Sequence, residues 1–137
     1  MNKMKGFECA GCIISTRRNN GDLQYLIVKS VENHRLYSFP KGQQFRWEAP
    51  RTTATREVLE ETGISVDINC RDGFKHLNTY LFAVFLKDIP TVTLQLKEVM
   101  EYRWVTRSEL EAMPERQLNS SLKAFRNGYL HYEDEVY

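Results

Sequence analysis

The 137 residues carry 19 Lys and Arg against 18 Asp and Glu, a net charge of +1, with 42% hydrophobic residues. A chain of this length suits one compact domain over residues 1–137 and can hold a core without disulfide staples. Balanced charge calls for neither a nucleic-acid nor a membrane partner, and no apolar run reaches the length of a spanning helix.

At the N-terminus, Lys3 and Lys5 precede a short apolar stretch that Glu8 interrupts, so the segment reads as a strand start rather than a signal peptide. Three cysteines, Cys9, Cys12 and Cys70, do not suggest a disulfide framework. Cys9 and Cys12 form a C-x-x-C, but in a strand their side chains point to opposite faces. Small buried hydrophobes in a cytoplasmic protein is the expectation for them.

In chain order, Phe7 to Ser15 and Gln24 to Lys29 read as two strands joined at Asn19-Asn20-Gly21-Asp22, where Asn and Gly tolerate positive φ. Leu36 to Phe39 is short and extended, ended by Pro40. A helix is predicted from Pro50, which suits its first turn, to Thr62, with Gly63 just past its end. Ala54, Val58 and Leu59 are its candidate core residues. Ser65 to Cys70 and Leu77 to Leu86 read as strands, the latter covered on both faces, and Met100 to Val105 as another. Ser108 to Met113 reads as a helix capped by Thr106 and stopped by Pro114. Leu118 to Tyr129 reads as a last helix with Leu122, Phe125 and Tyr129 inward, and Glu133-Asp134-Glu135 as a solvated end. The whole predicts an α/β fold, a mixed sheet sandwiched by helices.

Glu57, Glu60 and Glu61 stand at i, i+3 and i+4 and so share one helix face. They lie at the negative end of the macrodipole, where carboxylates are disfavoured. Arg56 can relieve part of this by reaching Glu60. The spacing alone fits either a solvated acidic face or a site for a hard divalent cation, whose ligands are oxygens.

The wider pattern selects between them. Gly42, Glu48 and the run Arg56-Glu57-Val58-Leu59-Glu60-Glu61-Thr62-Gly63-Ile64 form G-x5-E-x7-R-E-V-L-E-E-T-G-I over 23 residues. Seven fixed positions at ordinary residue frequencies match by chance about once in 10^8 starts. This resembles the Nudix box at every fixed position, and the order of strands around it resembles the Nudix α/β/α sandwich.

The resemblance implies magnesium, with manganese as a substitute, held against a diphosphate by Glu57, Glu60, Glu61 and the Gly42 carbonyl. It implies Glu57 as a candidate base, Glu48 as a residue that fixes the loop near the metals, and Arg56 as the group that orients carboxylates. A carboxylate beyond the box is also implied. Glu98 and Glu101 are both offered, and Glu98 is favoured because Lys97 to Trp104 resembles the H-E-x-x-x-Y-R-W run of diadenosine tetraphosphate hydrolases. Lys41, in the similar run Phe39-Pro40-Lys41-Gly42, is implied to bind a phosphate. Tyr80, 16 residues beyond Ile64, resembles the tyrosine that holds adenine in that group. The bulky Phe45, Arg46 and Trp47 depart from the family's loop, and Trp47 either packs the loop down or borders the substrate.

The expected function is hydrolysis of a phosphoanhydride bond in a small-molecule nucleoside polyphosphate, with diadenosine tetraphosphate cut to ATP and AMP as the leading case. Alternatives are removal of pyrophosphate or a cap from an RNA 5′ end, hydrolysis of a nucleoside triphosphate or a diphosphoinositol phosphate, and a non-catalytic nucleotide-binding module. A basic track for RNA is not evident, since Lys3, Lys5, Arg17 and Arg18 are few and scattered.

Overall fold

The computed structural model describes residues 9–69, 73–128 and 131–133. Its elements are β1 (Cys9–Arg17), β2 (Leu23–Ser30), β3 (Tyr37–Ser38), β4 (Lys41–Gln43), α1 (Pro50–Thr62), β5 (Gly73–His76), β6 (Thr79–Phe85), β7 (Val99–Thr106), α2 (Arg107–Ala112), a 3-10 turn (Glu115–Gln117), α3 (Ser120–Arg126) and β8 (His131–Glu133). The strands form one sheet in the order β3-β2-β1-β6-β5-β8, with β4 paired to β1 and β7 to β2. β1 and β6 run parallel and the other strand pairings are antiparallel, so the sheet is mixed as expected.

Each face of the sheet buries its own layer. On one side Ala54 and Val58 of α1 pack with Ala10, Cys12, Ile14, Leu26 and Phe82. On the other, Leu110 of α2, Leu118 just before α3 and Leu122 of α3 pack with Ile13, Ile27, Phe39, Leu81 and Val105. The result is the predicted α/β/α arrangement. Leu59, however, is 49% exposed. One residue past Val58 is a 100° turn of the helix, which carries the side chain off the buried stripe formed by Ala54, Val58 and Thr62.

The sheet splits where the site lies. β1 and β2 pair only through Ser15–Arg17 and Leu23–Tyr25, while Cys9, Ala10 and Gly11 pair with β4 and Val28 and Lys29 pair with β3. The Phe39-Pro40 link crosses the gap, and its Pro40 carbonyl accepts from Cys12 N–H at 3.1 Å. A Cβ on Gly11 would fall 2.0 Å from that carbonyl oxygen, so this crossing requires glycine. Helix α1 starts without a side-chain cap and ends at Gly63, whose φ of 73° only glycine adopts readily. Its last carbonyls are taken up from outside: Thr93 N–H donates to Thr62 O and Gln95 N–H to Glu61 O. This ties the segment before β7 to the end of α1.

Several expected elements are revised. Residues 64–69 alternate between buried and exposed as a strand would, yet they join no ladder among the described residues. Leu77 to Leu86 is not a single strand. Leu77, at φ 54°, turns the chain between β5 and β6, and no glycine marks that turn. The last helix is shorter than expected and is capped by Asn119, whose side chain accepts from Leu122 N–H. Thr106 does cap α2, in a reciprocal box with Glu109. Cys12 is buried in the core and Cys9 borders the cleft described below. Glu133 belongs to β8, while Cys70, Tyr129, Asp134 and Glu135 lie outside the described residues.

Tyr80 is also revised. Its side chain is 1% exposed, its ring lies 5.1 Å from that of Phe82, and a Cβ on Gly73 would strike it at 2.1 Å. It is part of the α1-side core and presents no ring face to a substrate. Tyr80→Ala is therefore predicted to cost on the order of 3–5 kcal/mol, the usual result of emptying a buried aromatic site. Urea unfolding measures this; a loss below about 1 kcal/mol, as for a surface ring, would contradict the placement.

Candidate functional site

The helical period places Glu57 and Glu61 one turn apart on the side of α1 that faces β4. The tied-down segment after β6 supplies Glu98 from the turn before β7. Glu57, Glu61 and Glu98 each offer an oxygen within 4.8 Å of the others. Lys41 N–H donates to Glu61 Oε1 at 3.2 Å. Gly42 lies so close that a Cβ there would sit 1.9 Å from the Glu57 carboxyl carbon. Glycine at this position thus makes room for the carboxylate itself.

Glu101, the other residue offered by the sequence, takes no part. Its Oε2 accepts from the Tyr37 hydroxyl and its Oε1 lies 3.8 Å from Lys29 Nζ. Glu60 also stands outside the group, with its side chain 48% exposed and 3.3 Å from Arg56 Nη1.

Arg56 organises the surroundings. Its Nε donates to Glu48 Oε2 at 2.7 Å and its Nη2 to Glu48 Oε1 at 2.9 Å, a bidentate pair. Nη1 donates to Glu57 Oε2 at 2.8 Å and Nη2 to the Gln43 carbonyl at 2.9 Å. Glu48, buried at 6% exposure, also accepts from Phe45 N–H and Thr53 Oγ1. The bulky loop residues complete this arrangement. The Phe45 ring lies 3.9 Å from the Arg56 guanidinium carbon, and Trp47 packs on Phe45 at 5.4 Å while remaining 79% exposed. These rings stand out in the sequence as a departure from the family's loop, but nothing local signals the cation–π contact with a residue 11 positions away.

The electrostatics divide the carboxylates. Arg56 above all, then the bonds from Phe45 and Thr53, holds Glu48 down to about 2. Burial pushes Glu61 up to about 8, and the nearby Glu57 adds to the rise against the opposing pull of Lys41. Burial likewise raises Glu57, with Arg56 opposing. Crowded, partly buried oxygens of one charge, in a set made only of hard donors, fit a divalent cation.

These groups open onto a cleft of about 680 Å³ at the split in the sheet. Its lining also includes Glu32 and the neutral residues Val28, Val31, Asn33, Leu36 and Val99. Lys97 and the neutral wall were not singled out from sequence. Lys97 had one local signal, its place beside Glu98; the wall residues come from distant segments and had none.

The opposite shifts of Glu61 and Glu48 make a testable pair in metal-free buffer. Glu61 keeps its proton in the folded state from about pH 4.5 to about 8, so the folded state binds more protons there. Its contribution to stability therefore falls as pH rises through that window, whereas the Glu48 contribution is complete above about 4.5 and is lost only as pH falls toward 2. In chelator, Tm is predicted to drop from pH 5 to pH 9, and Glu61→Gln to flatten the drop by on the order of 2–4 kcal/mol at the alkaline end. Parallel Tm–pH curves for the two proteins would contradict this.

Comparison with known proteins agrees with this architecture. The NUDIX domain profile matches residues 9–126. An uncharacterized Nudix hydrolase of Listeria innocua is 35% identical over 78 residues, which cover 53% of this chain and 46% of the relative. The chain thus spans about half the length of the curated relatives it matches. The NUDIX domain of Shewanella oneidensis NrtR, solved with ADP ribose, superposes at a TM-score of 0.70 with 16% identity, over 90% of this chain and 86% of that one. A C. elegans Ap4A hydrolase superposes at 0.64 with 19% identity, over 74% of this chain and 82% of that one. At these identities the superpositions speak to the fold. The profile, which spans most of the sequence, carries the assignment: the chain belongs to the Nudix family.

Proposed function

We propose that this protein hydrolyses a phosphoanhydride bond in a nucleoside polyphosphate, using magnesium or, in its place, manganese. The observation that carries this reading is the convergence of Glu57, Glu61 and Glu98, from two separate elements, on one cleft that Lys41 also lines. In the proposal these three carboxylates and the Gly42 carbonyl hold the metal. Glu60 joins them by leaving Arg56, an exposed contact of the kind that contributes little. When bound, the metal lowers the pKa of a water and neutralises phosphoryl charge.

The protein's own groups do the rest. Glu57, raised by burial, takes the proton from the attacking water. Lys41 places a positive charge against a phosphate. Arg56 keeps the Glu57 carboxylate in position, because it bonds that oxygen and the loop carbonyl of Gln43 together. The neutral wall of Val28, Val31, Leu36 and Val99 takes the nucleoside.

Within this class, diadenosine tetraphosphate cut to ATP and AMP is the proposed substrate. It is supported by the Phe39-Pro40-Lys41-Gly42 and Tyr102-Arg103-Trp104 resemblances, and no longer by Tyr80, whose ring is interior.

Two experiments test the reading. Activity on a nucleotide panel is predicted to vanish in chelator and return with magnesium, and Glu61→Gln to lower kcat by about a hundredfold or more with the fold retained. Turnover within a few-fold of wild type would remove Glu61 from the machinery. Product analysis after reaction in oxygen-18 water is predicted to give ATP and AMP from the dinucleotide. ADP as the sole nucleotide would exclude asymmetric cleavage, and pyrophosphate release from 5′-triphosphorylated RNA without dinucleotide cleavage would move the substrate to RNA.

A further inference from the structure

We infer that Lys97 is a second phosphate-binding cation, acting together with Lys41, and that the cleft is therefore built for a chain of three or more phosphates. The inference rests on the hydrolase reading above and specifies its substrate class. It starts from a mismatch within the cleft. Four carboxylates line it, those of Glu32, Glu57, Glu61 and Glu98, alongside two lysines, Lys41 and Lys97. Yet among the described residues neither lysine makes an ion pair within 4.0 Å. Arg56 takes the partnership of Glu48, Glu57 and Glu60 instead. Two ammonium groups are thus left available to an incoming anion.

Their mountings differ in a way that bears on chain length. Lys41 belongs to β4, and its backbone is fixed to Glu61 Oε1. Lys97 belongs to the turn before β7, next to Glu98, and that turn is held at both sides. Glu98 N–H donates to Gln95 O at 2.9 Å, Gln95 N–H donates to Glu61 O at 3.3 Å, and the Glu98 carbonyl accepts from Val31 N–H at 2.8 Å. Each lysine is mounted beside a different member of the carboxylate group, since Glu61 is bonded to the Lys41 backbone and Glu98 is adjacent to Lys97 in the chain. A diphosphate engaged at the carboxylates with Lys41 beside it leaves Lys97 without an anion. A longer chain supplies one. A lysine serves here as a mobile point charge that follows the chain, where an arginine fork would demand one fixed geometry.

The test is lysine footprinting with an amine-acetylating reagent in magnesium buffer, read by mass spectrometry, with inorganic pyrophosphate and inorganic tripolyphosphate as probes. Tripolyphosphate is expected to protect both Lys41 and Lys97, pyrophosphate to protect Lys97 less, and Lys123 on α3 to label equally throughout. In parallel, Lys97→Gln is expected to raise KM for nucleoside tri- and tetraphosphates about tenfold with kcat little changed, the usual effect of losing one charge-assisted bond. Lys97→Arg should recover most of that loss. Protection of Lys41 alone, with KM unchanged in Lys97→Gln, would overturn the inference and leave the hydrolase reading intact. Protection of neither lysine, with no nucleotide hydrolysed by wild type, would overturn both.

Discussion

The guanidinium of Arg56 is where the loop, the helix and the acidic cleft meet. It donates five hydrogen bonds, to both oxygens of Glu48, to Glu57, to Glu60 and to the Gln43 carbonyl. Each target depends on the planar fork for its position, and a lysine, with one compact charge, could not bridge them. Through Glu48 the same cation anchors the loop's Phe45 N–H and the first turns of α1 at Thr53. Arg56 nevertheless makes no bond to Glu61, so repulsion is relieved at Glu57 and Glu60 and retained at Glu61.

That asymmetry has a thermodynamic consequence. Burial and a neighbouring carboxylate both disfavour ionised Glu61, so the fold holds an arrangement less stable than a neutral one would be. The surrounding structure compensates. Val58 and Ala54 bury the opposite stripe of α1, Gly63 and the Thr93–Gln95 segment close its end, and Gly42 yields space to Glu57. Local rules of helix electrostatics are broken at one place while the rest of the domain obeys them, as expected where function sets the residues.

What the sequence revealed followed from how local each feature is. The shared face of Glu57, Glu60 and Glu61 is a matter of helical period, and the caps at Thr106 and Gly63 are short-range chemistry. The mixed sheet with helices on both sides followed from apolar patterning over residues 9–30 and 79–106, while the order of its strands is expected only from the family resemblance. Features that depend on distant residues were harder to see. Tyr80 is expected as a substrate ring only from the resemblance, and its burial beside Gly73 and Phe82 puts it in the core. Glu98 and Glu101 differ by three residues, and β7 sends one to the cleft turn and the other to Tyr37 and Lys29. The turn at Leu77 uses positive φ without glycine, so the β5–β6 hairpin carried no sequence mark. Residues 64–69 have strand periodicity without a partner, which alternation alone cannot distinguish from a strand.

The central claim is that Glu57, Glu61 and Glu98 are held together to bind a divalent cation. Its most direct test is titration of the metal-free protein with Mn²⁺ at neutral pH, followed by electron paramagnetic resonance of the free ion. The account predicts saturable binding in the wild type that weakens in Glu98→Gln, because Glu98 reaches the group from outside the helix. Binding of equal strength in wild type and Glu98→Gln, or none in either, would contradict it.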